Sequence, residues 1–160
     1  MRRDDFERLY EEHAQPLFGF LAYRTGDPAL AEDLLADTFE RALRARKRFD
    51  PRKASEKTWL YTIALNLLRD SARRSKSEAR AVERMPHEGG GAPDALTAVE
   101  RRDEIQHALR ALSDEEREAI ALRFGGDLTV PEIAKLLKQP LPRIEGRVYR
   151  SLRKLRDELD

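Results

Sequence analysis

Arg143, Arg147, Arg150 and Lys154 recur at three- and four-residue steps near the end of the chain. On a helix, where each residue advances about 100°, that spacing gathers all four on one arc. Ile144, Val148, Leu152, Leu155 and Leu159 fall on a second arc roughly 130° away. One face is suited to packing and the other to phosphate oxygens. A cationic helix with a packed back can enter the major groove of DNA, where an arginine can address O6 and N7 of guanine with two hydrogen bonds. The same pattern also fits a helical hairpin whose arginines are simply solvated.

Three further residues bear on that face. Glu145 lies near Tyr149, where its carboxylate would repel phosphates but could accept from the N4 amino group of cytosine. Gly146 removes a side chain there and weakens the helix by roughly 1 kcal/mol relative to alanine. Either the helix reads an unusual sequence or its base reading is weak.

The elements that position this helix are legible just upstream. Thr129 and Glu132 form a capping-box pattern around Pro131, and Ile133, Leu136 and Leu137 give a short helix one apolar face. "QPLP" then makes a turn in which Pro140 and Pro142 are tolerated, and Pro142 is placed to help start the last helix, Arg143 to Leu159. A short helix, a tight turn and a longer basic helix form a helix-turn-helix pattern.

Composition narrows the remaining classes. Charged residues make up 38% of the chain, yet 31 basic against 30 acidic side chains leave a net charge of +1, so charge distribution rather than total is informative. Residues 41–53 hold seven basic groups against one acidic, and 143–156 hold six against one. Both clusters suit a phosphate backbone or a solvated helix face. With no cysteine, disulfides and thiolate zinc sites are excluded, and His13, His87 and His107 lack metal-ligand spacing. No catalytic constellation and no cofactor motif is present, which argues against an enzyme. No apolar run approaches the roughly 20 residues of a membrane span, and the first residues do not resemble a signal peptide. A cytoplasmic protein without membrane insertion is expected.

Helical periodicity dominates throughout. A first helix over about Asp4–Thr25 stops at "TGDP", and Asp27 with Pro28 starts a second whose apolar face is Leu30, Leu34, Leu35, Thr38, Phe39, Ala42 and Leu43. "FDPRKAS" breaks it, and Ser55 can cap a third helix whose Trp59, Leu60, Ile63, Ala64, Leu67 and Leu68 belong mainly to a core. The glycine- and proline-rich "MPHEGGGAPDA" reads as a linker. A further helix begins near Ala95, and a second capping box, Ser113 to Glu116, opens a helix expected to run to Gly125 and Gly126. The expected fold is all-α, with two small helical domains (1–84 and 95–160) joined by a flexible linker (85–94).

Taken together, "FERLYEEHAQPLFGFLAYRTGDPALAEDLLADTFERAL", "RFDPRKASEKTWLYTIALNLLRDSARR" and "ALRALSDEEREAIALRFGGDLTVPEIAKLLKQPLPRIEGRVYRSLRKLR" resemble a bacterial RNA polymerase sigma factor of the extracytoplasmic-function (ECF) group. The resemblance covers nearly the whole chain. It implies promoter-specific transcription initiation, with core RNA polymerase (the β′ clamp helices and the β subunit) and promoter DNA as partners, a separate anti-sigma factor as regulator, and no cofactor. It implies that Asp33, Asp37, Thr38 and Arg41 meet polymerase, and that Arg52, Lys53, Ser55, Lys57 and Asn66 face the melted minus-ten region. It places base reading of the minus-thirty-five element on Glu145, Gly146, Tyr149 and Arg150, with Arg143, Arg147 and Lys154 on phosphates. Glu56, Lys138, Glu145, Gly146 and Pro142 depart from the residues common in that family.

Overall fold

The computed structural model describes the backbone of residues 1–81 and 96–160 and the side chains of 1–78 and 103–160; the expected linker lies outside the described residues. Among the described residues there are helices and no strands: α1 (Arg3–Thr25), α2 (Pro28–Ala45), a 3-10 turn (Arg46–Arg48), α3 (Glu56–Ala81), α4 (Leu96–Arg110), α5 (Asp114–Ile120), a π turn (Ala121–Gly125), α6 (Val130–Leu137) and α7 (Leu141–Leu159).

Local chemistry sets most of these boundaries. Gly26 adopts a left-handed conformation, φ 68°, and ends α1; Asp27 then accepts from the backbone N–H groups of Ala29 and Leu30 to start α2. Ser55 accepts from the Thr58 backbone N–H at 3.1 Å at the head of α3. Both expected capping boxes form: Ser113 with Glu116 at α5, and Thr129 with Glu132 at α6. Each such cap contributes about 1 kcal/mol. The last helix begins at Leu141, two residues before Arg143, so Pro142 lies within its first turn, where its missing N–H costs no hydrogen bond.

Two boundaries differ from the periodic reading. The helix from Asp114 does not continue as α to the glycines but widens after Ile120 into a π turn, in which the Gly126 N–H reaches Ala121 O at 2.9 Å. Lys138 ends α6 with φ 55°, a left-handed conformation that costs a side-chain-bearing residue roughly 1 kcal/mol.

Helices α1 to α3 form one layered unit and α4 to α7 another, and the two pack together. A single buried cluster runs from Leu9, Leu17, Phe20 and Leu21 through Leu60, Tyr61 and Ala64 to Leu122, Leu128, Ile133 and Ile144. The middle of α1 lies against the π turn, and α3 lies against α6. Leu43, which the periodicity assigns to the apolar face of α2, is half-exposed.

Candidate nucleic-acid interface

Helix α7 is anchored by Ile144, Val148 and Ser151, all buried, and Ser151 donates its hydroxyl to Arg147 O at 2.6 Å. The opposite side carries Tyr149, 68% exposed, with Arg143, Glu145 and Arg150 also in solvent. Gly146 lies beneath the Arg150 guanidinium: a Cβ at Gly146 would stand 2.9 Å from Arg150 Nη1. The missing side chain therefore lets that arginine fold along the helix surface. Because Arg150 is exposed and flexible, it can move aside for a larger residue, so this contact does not by itself require glycine at 146.

The four periodic cations have separate fates. Arg143 and Arg150 are exposed. Arg147 is only 9% exposed; it donates to Gln139 Oε1 at 2.9 Å and lies 3.6 Å from Glu115 Oε2, tying α7 to the turn and to α5. Lys154 is bound to Glu116 at 2.8 Å. Burial by itself would raise the Glu116 carboxyl, but hydrogen bonds from Lys154 and Ser113 outweigh it and hold the group below its ordinary value. Arg153, which the three- and four-residue stepping passes over, is exposed on the side of Gly146 and Tyr149.

In the N-terminal unit the basic loop has its own order. Arg52 folds back on Asp50, its backbone N–H and Nε reaching Oδ1 at 3.0 and 3.2 Å. Lys53 is exposed. Ser55 is occupied in capping α3 and also donates to Thr58 Oγ1 at 3.0 Å. Trp59 is half-buried against the Phe49 ring, centroids 5.1 Å apart, which agrees with a mainly structural role. Glu56 is bound to Arg8 at 3.1 Å, so the residue that departs from the family pattern clasps the start of α3 to α1. Asn66 is exposed on α3, about two and a half turns beyond Lys57 and three beyond Ser55.

Lys57 does not stand free. Its ammonium lies 3.2 Å from Glu132 in α6. Glu132 also receives the Thr129 backbone N–H, and these contacts overcome the upward push of burial to hold its carboxyl below the ordinary value.

On α2, Asp33, Asp37 and Arg41 are exposed at four-residue intervals and form one stripe. Among the described residues none of the three makes an ion pair within 4.0 Å. Thr38 is fully buried and donates to Leu34 O at 2.6 Å. It belongs to the packed face of α2, as its periodicity indicated, and presents no surface to a partner.

Several contacts escaped the periodic reading because they join separate elements. Arg117 donates to Leu109 O at 3.0 Å and Leu112 O at 3.3 Å, satisfying carbonyls at the end of α4 and in the turn after it. Arg69 in α3 grips Glu118 in α5 through two hydrogen bonds of 3.1 and 3.3 Å. The Tyr61 hydroxyl donates to Gly126 O at 3.2 Å, and burial pushes its pKa well above the ordinary value. Among the described residues no acidic or histidine cluster could hold a metal ion, and no helix is long and apolar enough to cross a membrane.

Comparison with known proteins accounts for this arrangement. The Sigma-70 region 2 family model matches residues 9–78, and the Sigma-70, region 4 model matches residues 102–155. The ECF RNA polymerase sigma factor BldN of Streptomyces coelicolor is 32% identical over 95% of this chain, which spans 59% of BldN. The RNA polymerase sigma factor CarQ of Myxococcus xanthus is 34% identical, with 99% of this chain and 92% of CarQ covered. Among solved structures, the sigma factor RpoE in complex with the anti-sigma factor NepR from Bartonella quintana matches with a TM-score of 0.75 at 25% identity, covering 98% of this chain and 97% of that one. Two sigma-70 modules in this order, each on its own helical unit, with near-full-length likeness to CarQ, establish that the chain belongs to the extracytoplasmic-function group of bacterial RNA polymerase sigma factors.

Proposed function

We propose that this sigma factor binds core RNA polymerase through the exposed stripe of α2, reads the minus-thirty-five element with α7 and engages the melted minus-ten region with the loop and helix around residues 52–66. Residues 1–84 then form the polymerase-binding and melting domain, 85–94 the linker and 95–160 the upstream-reading domain. The observation that carries this reading is the solvent face of α7. Tyr149, Arg150 and Arg153 surround Gly146 on a helix whose back is locked into the core. Such a face combines base-edge donors with phosphate neutralisation.

The residue roles divide by burial. Asp33, Asp37 and Arg41 meet polymerase, while Thr38 holds their helix. Arg150 reads a base beside Glu145 and Tyr149; Arg143, Arg153 and Lys154 meet phosphates, the last on leaving Glu116; and Arg147 sets the pose of α7. Lys53, Lys57 and Asn66 face the unpaired strand, with Ser55 and Arg52 shaping the loop. The protein acts in the cytoplasm by positioning polymerase and performs no covalent chemistry itself. A separate anti-sigma factor regulates it, a reading supported by the likeness to RpoE in its complex with NepR.

Capture by core polymerase tests the first assignment. Asp37→Arg is expected to lower affinity by at least tenfold, since a like-charge juxtaposition at an interface costs several kcal/mol. Thr38→Val, nearly isosteric and buried, should bind as the parent does. Equal affinity for the parent and Asp37→Arg in a pull-down titration would remove α2 from the interface.

A further inference from the structure

Glu145 stands on the solvent side of α7 with Arg143, Arg150 and Arg153 and pairs with none of them. Other carboxylates of the fold hold partners: Glu116 takes Lys154 at 2.8 Å, Glu118 takes Arg69 at 3.1 Å, and Glu132 takes Lys57 at 3.2 Å. Among the described residues Glu145 makes no ion pair and no side-chain hydrogen bond. Its place in the sequence explains why. No basic residue stands three or four places away in either direction, where the neighbours are Leu141, Pro142, Val148 and Tyr149. Nor does it serve the helix dipole, because α7 has no acid in its first turn and Glu145 is its fifth residue, where that effect has faded. An acid that neither pairs nor caps is available to whatever meets this face.

Around the helix Glu145 and Arg150 are roughly 140° apart, and Pro142, Gly146, Tyr149 and Arg153 fill the strip between them. At the head of α7 that strip carries only a proline and a glycine. The atoms nearest a Cβ at Gly146 all belong to the Arg150 side chain, so bare backbone faces outward once that arginine extends. A glutamate reaches less far than an arginine and meets a base edge only where the helix sits deep in the major groove. The short residues beside it allow that approach.

The chemistry of a carboxylate then names the base. It accepts hydrogen bonds and donates none, so phosphates repel it, as do O6 and N7 of guanine and O4 of thymine. Adenine offers its N6 amino group but sets the N7 acceptor beside it. Cytosine offers its N4 amino group and no acceptor of its own at that edge. We propose, on the reading of α7 as the helix that addresses the upstream element, that Glu145 is a specificity-determining residue and makes cytosine the required base at one position of that element. A cation here would add affinity for every sequence. An acid gives up affinity for every sequence and regains it at one base. Arg150, on the other flank, addresses a different base pair.

The test selects duplexes from a pool randomised across the upstream element, using the full chain bound to core polymerase and, in parallel, the free full chain. Glu145 is exposed, so Glu145→Ala, Glu145→Gln and Glu145→Arg should melt as the parent does. The parent should prefer cytosine at one position on the order of tenfold over the other bases. Glu145→Ala should lose that preference alone and bind scrambled duplex more tightly than the parent. Glu145→Gln should exchange the cytosine for adenine, whose N6 and N7 match an amide, and Glu145→Arg should exchange it for guanine. The base read by Arg150 should persist in all three. If Glu145→Ala and Glu145→Gln keep the parent's preference at every position, the proposal is overturned, as it is by a parent motif of A·T pairs alone or by no motif from either arm. A motif from the free chain without polymerase-dependent selection would count against the sigma-factor reading, while the variants of the free chain would still decide the role of Glu145.

Discussion

The two basic regions of the molecule look alike in composition and differ in what holds their charges. In α7 a continuous helix presents the cations, and burial sorts them: Arg147 is taken into the structure, Lys154 is paired with Glu116, and Arg143, Arg150 and Arg153 stay in solvent. In the 46–57 region a short turn, a loop and the start of α3 present them: Arg52 folds back on Asp50 two residues away, Lys53 stays in solvent, and Lys57 is held by Glu132 from the other half. A count of lysines and arginines treats the two as equals. Availability, and therefore function, depends on which acids the fold brings near.

Substitutions can break or sharpen this contrast. The largest effect on stability is expected from Arg147→Ala. A nearly buried guanidinium is removed and Gln139 loses its partner, so the melting free energy should fall by about 2 kcal/mol. If thermal or denaturant unfolding is unchanged while DNA affinity drops, Arg147 is a phosphate contact after all. Next comes Arg150→Ala, expected to leave stability intact and to reduce discrimination between matched and scrambled upstream elements by roughly 1.5 kcal/mol. Equal losses on both DNAs would reassign it to the phosphate backbone. Lys138→Gly relieves a left-handed φ of 55° and should stabilise the protein by about 1 kcal/mol, measured by denaturant melting. A destabilised Lys138→Gly variant would show that the strain argument at this turn is mistaken.

The smallest effect is a pH dependence at the seam. The Glu132 carboxyl titrates below its ordinary value in the folded state, so its contribution is present above the unfolded carboxyl pKa and is lost as pH falls through the folded one. Glu132→Gln should therefore be less stable than the parent at neutral pH, by less than ~1 kcal/mol, and the gap should close between about pH 5 and 3. A gap that widens in acid would contradict the assigned charge state.

Much of the fold was readable because it depends on near neighbours. Asp27, Ser113 and Thr129 cap the helices they precede, and Ile133, Leu136, Ile144 and Val148 of α6 and α7 enter the core, whereas Leu152 and Leu159, expected on the same packed arc of α7, are exposed. The periodic reading of Thr38 as an inward residue also holds, and where family resemblance assigned it to a surface, its zero exposure argues otherwise. Arg147 misled for the reverse reason. It shares an arc with exposed cations, but Gln139 and Glu115 close over it. Nothing in hydrophobic spacing marks the π turn after Ile120, nor the approach of Gly19 to Gly125, because that contact joins residues far apart in the chain. Local patterns thus specify the helices, while the seam between the two units emerges only from their packing.

The central claim is that the chain directs polymerase to promoters with two elements, and the most direct measurement is reconstituted transcription. Purified protein, bacterial core polymerase and fragmented genomic DNA are combined, and the 5′ ends of the RNA are sequenced. The account predicts protein-dependent starts that share a two-part upstream motif, with the upstream part losing its sequence preference in Arg150→Ala. Core binding without protein-dependent starts would contradict it and identify a sigma-like regulator that does not initiate.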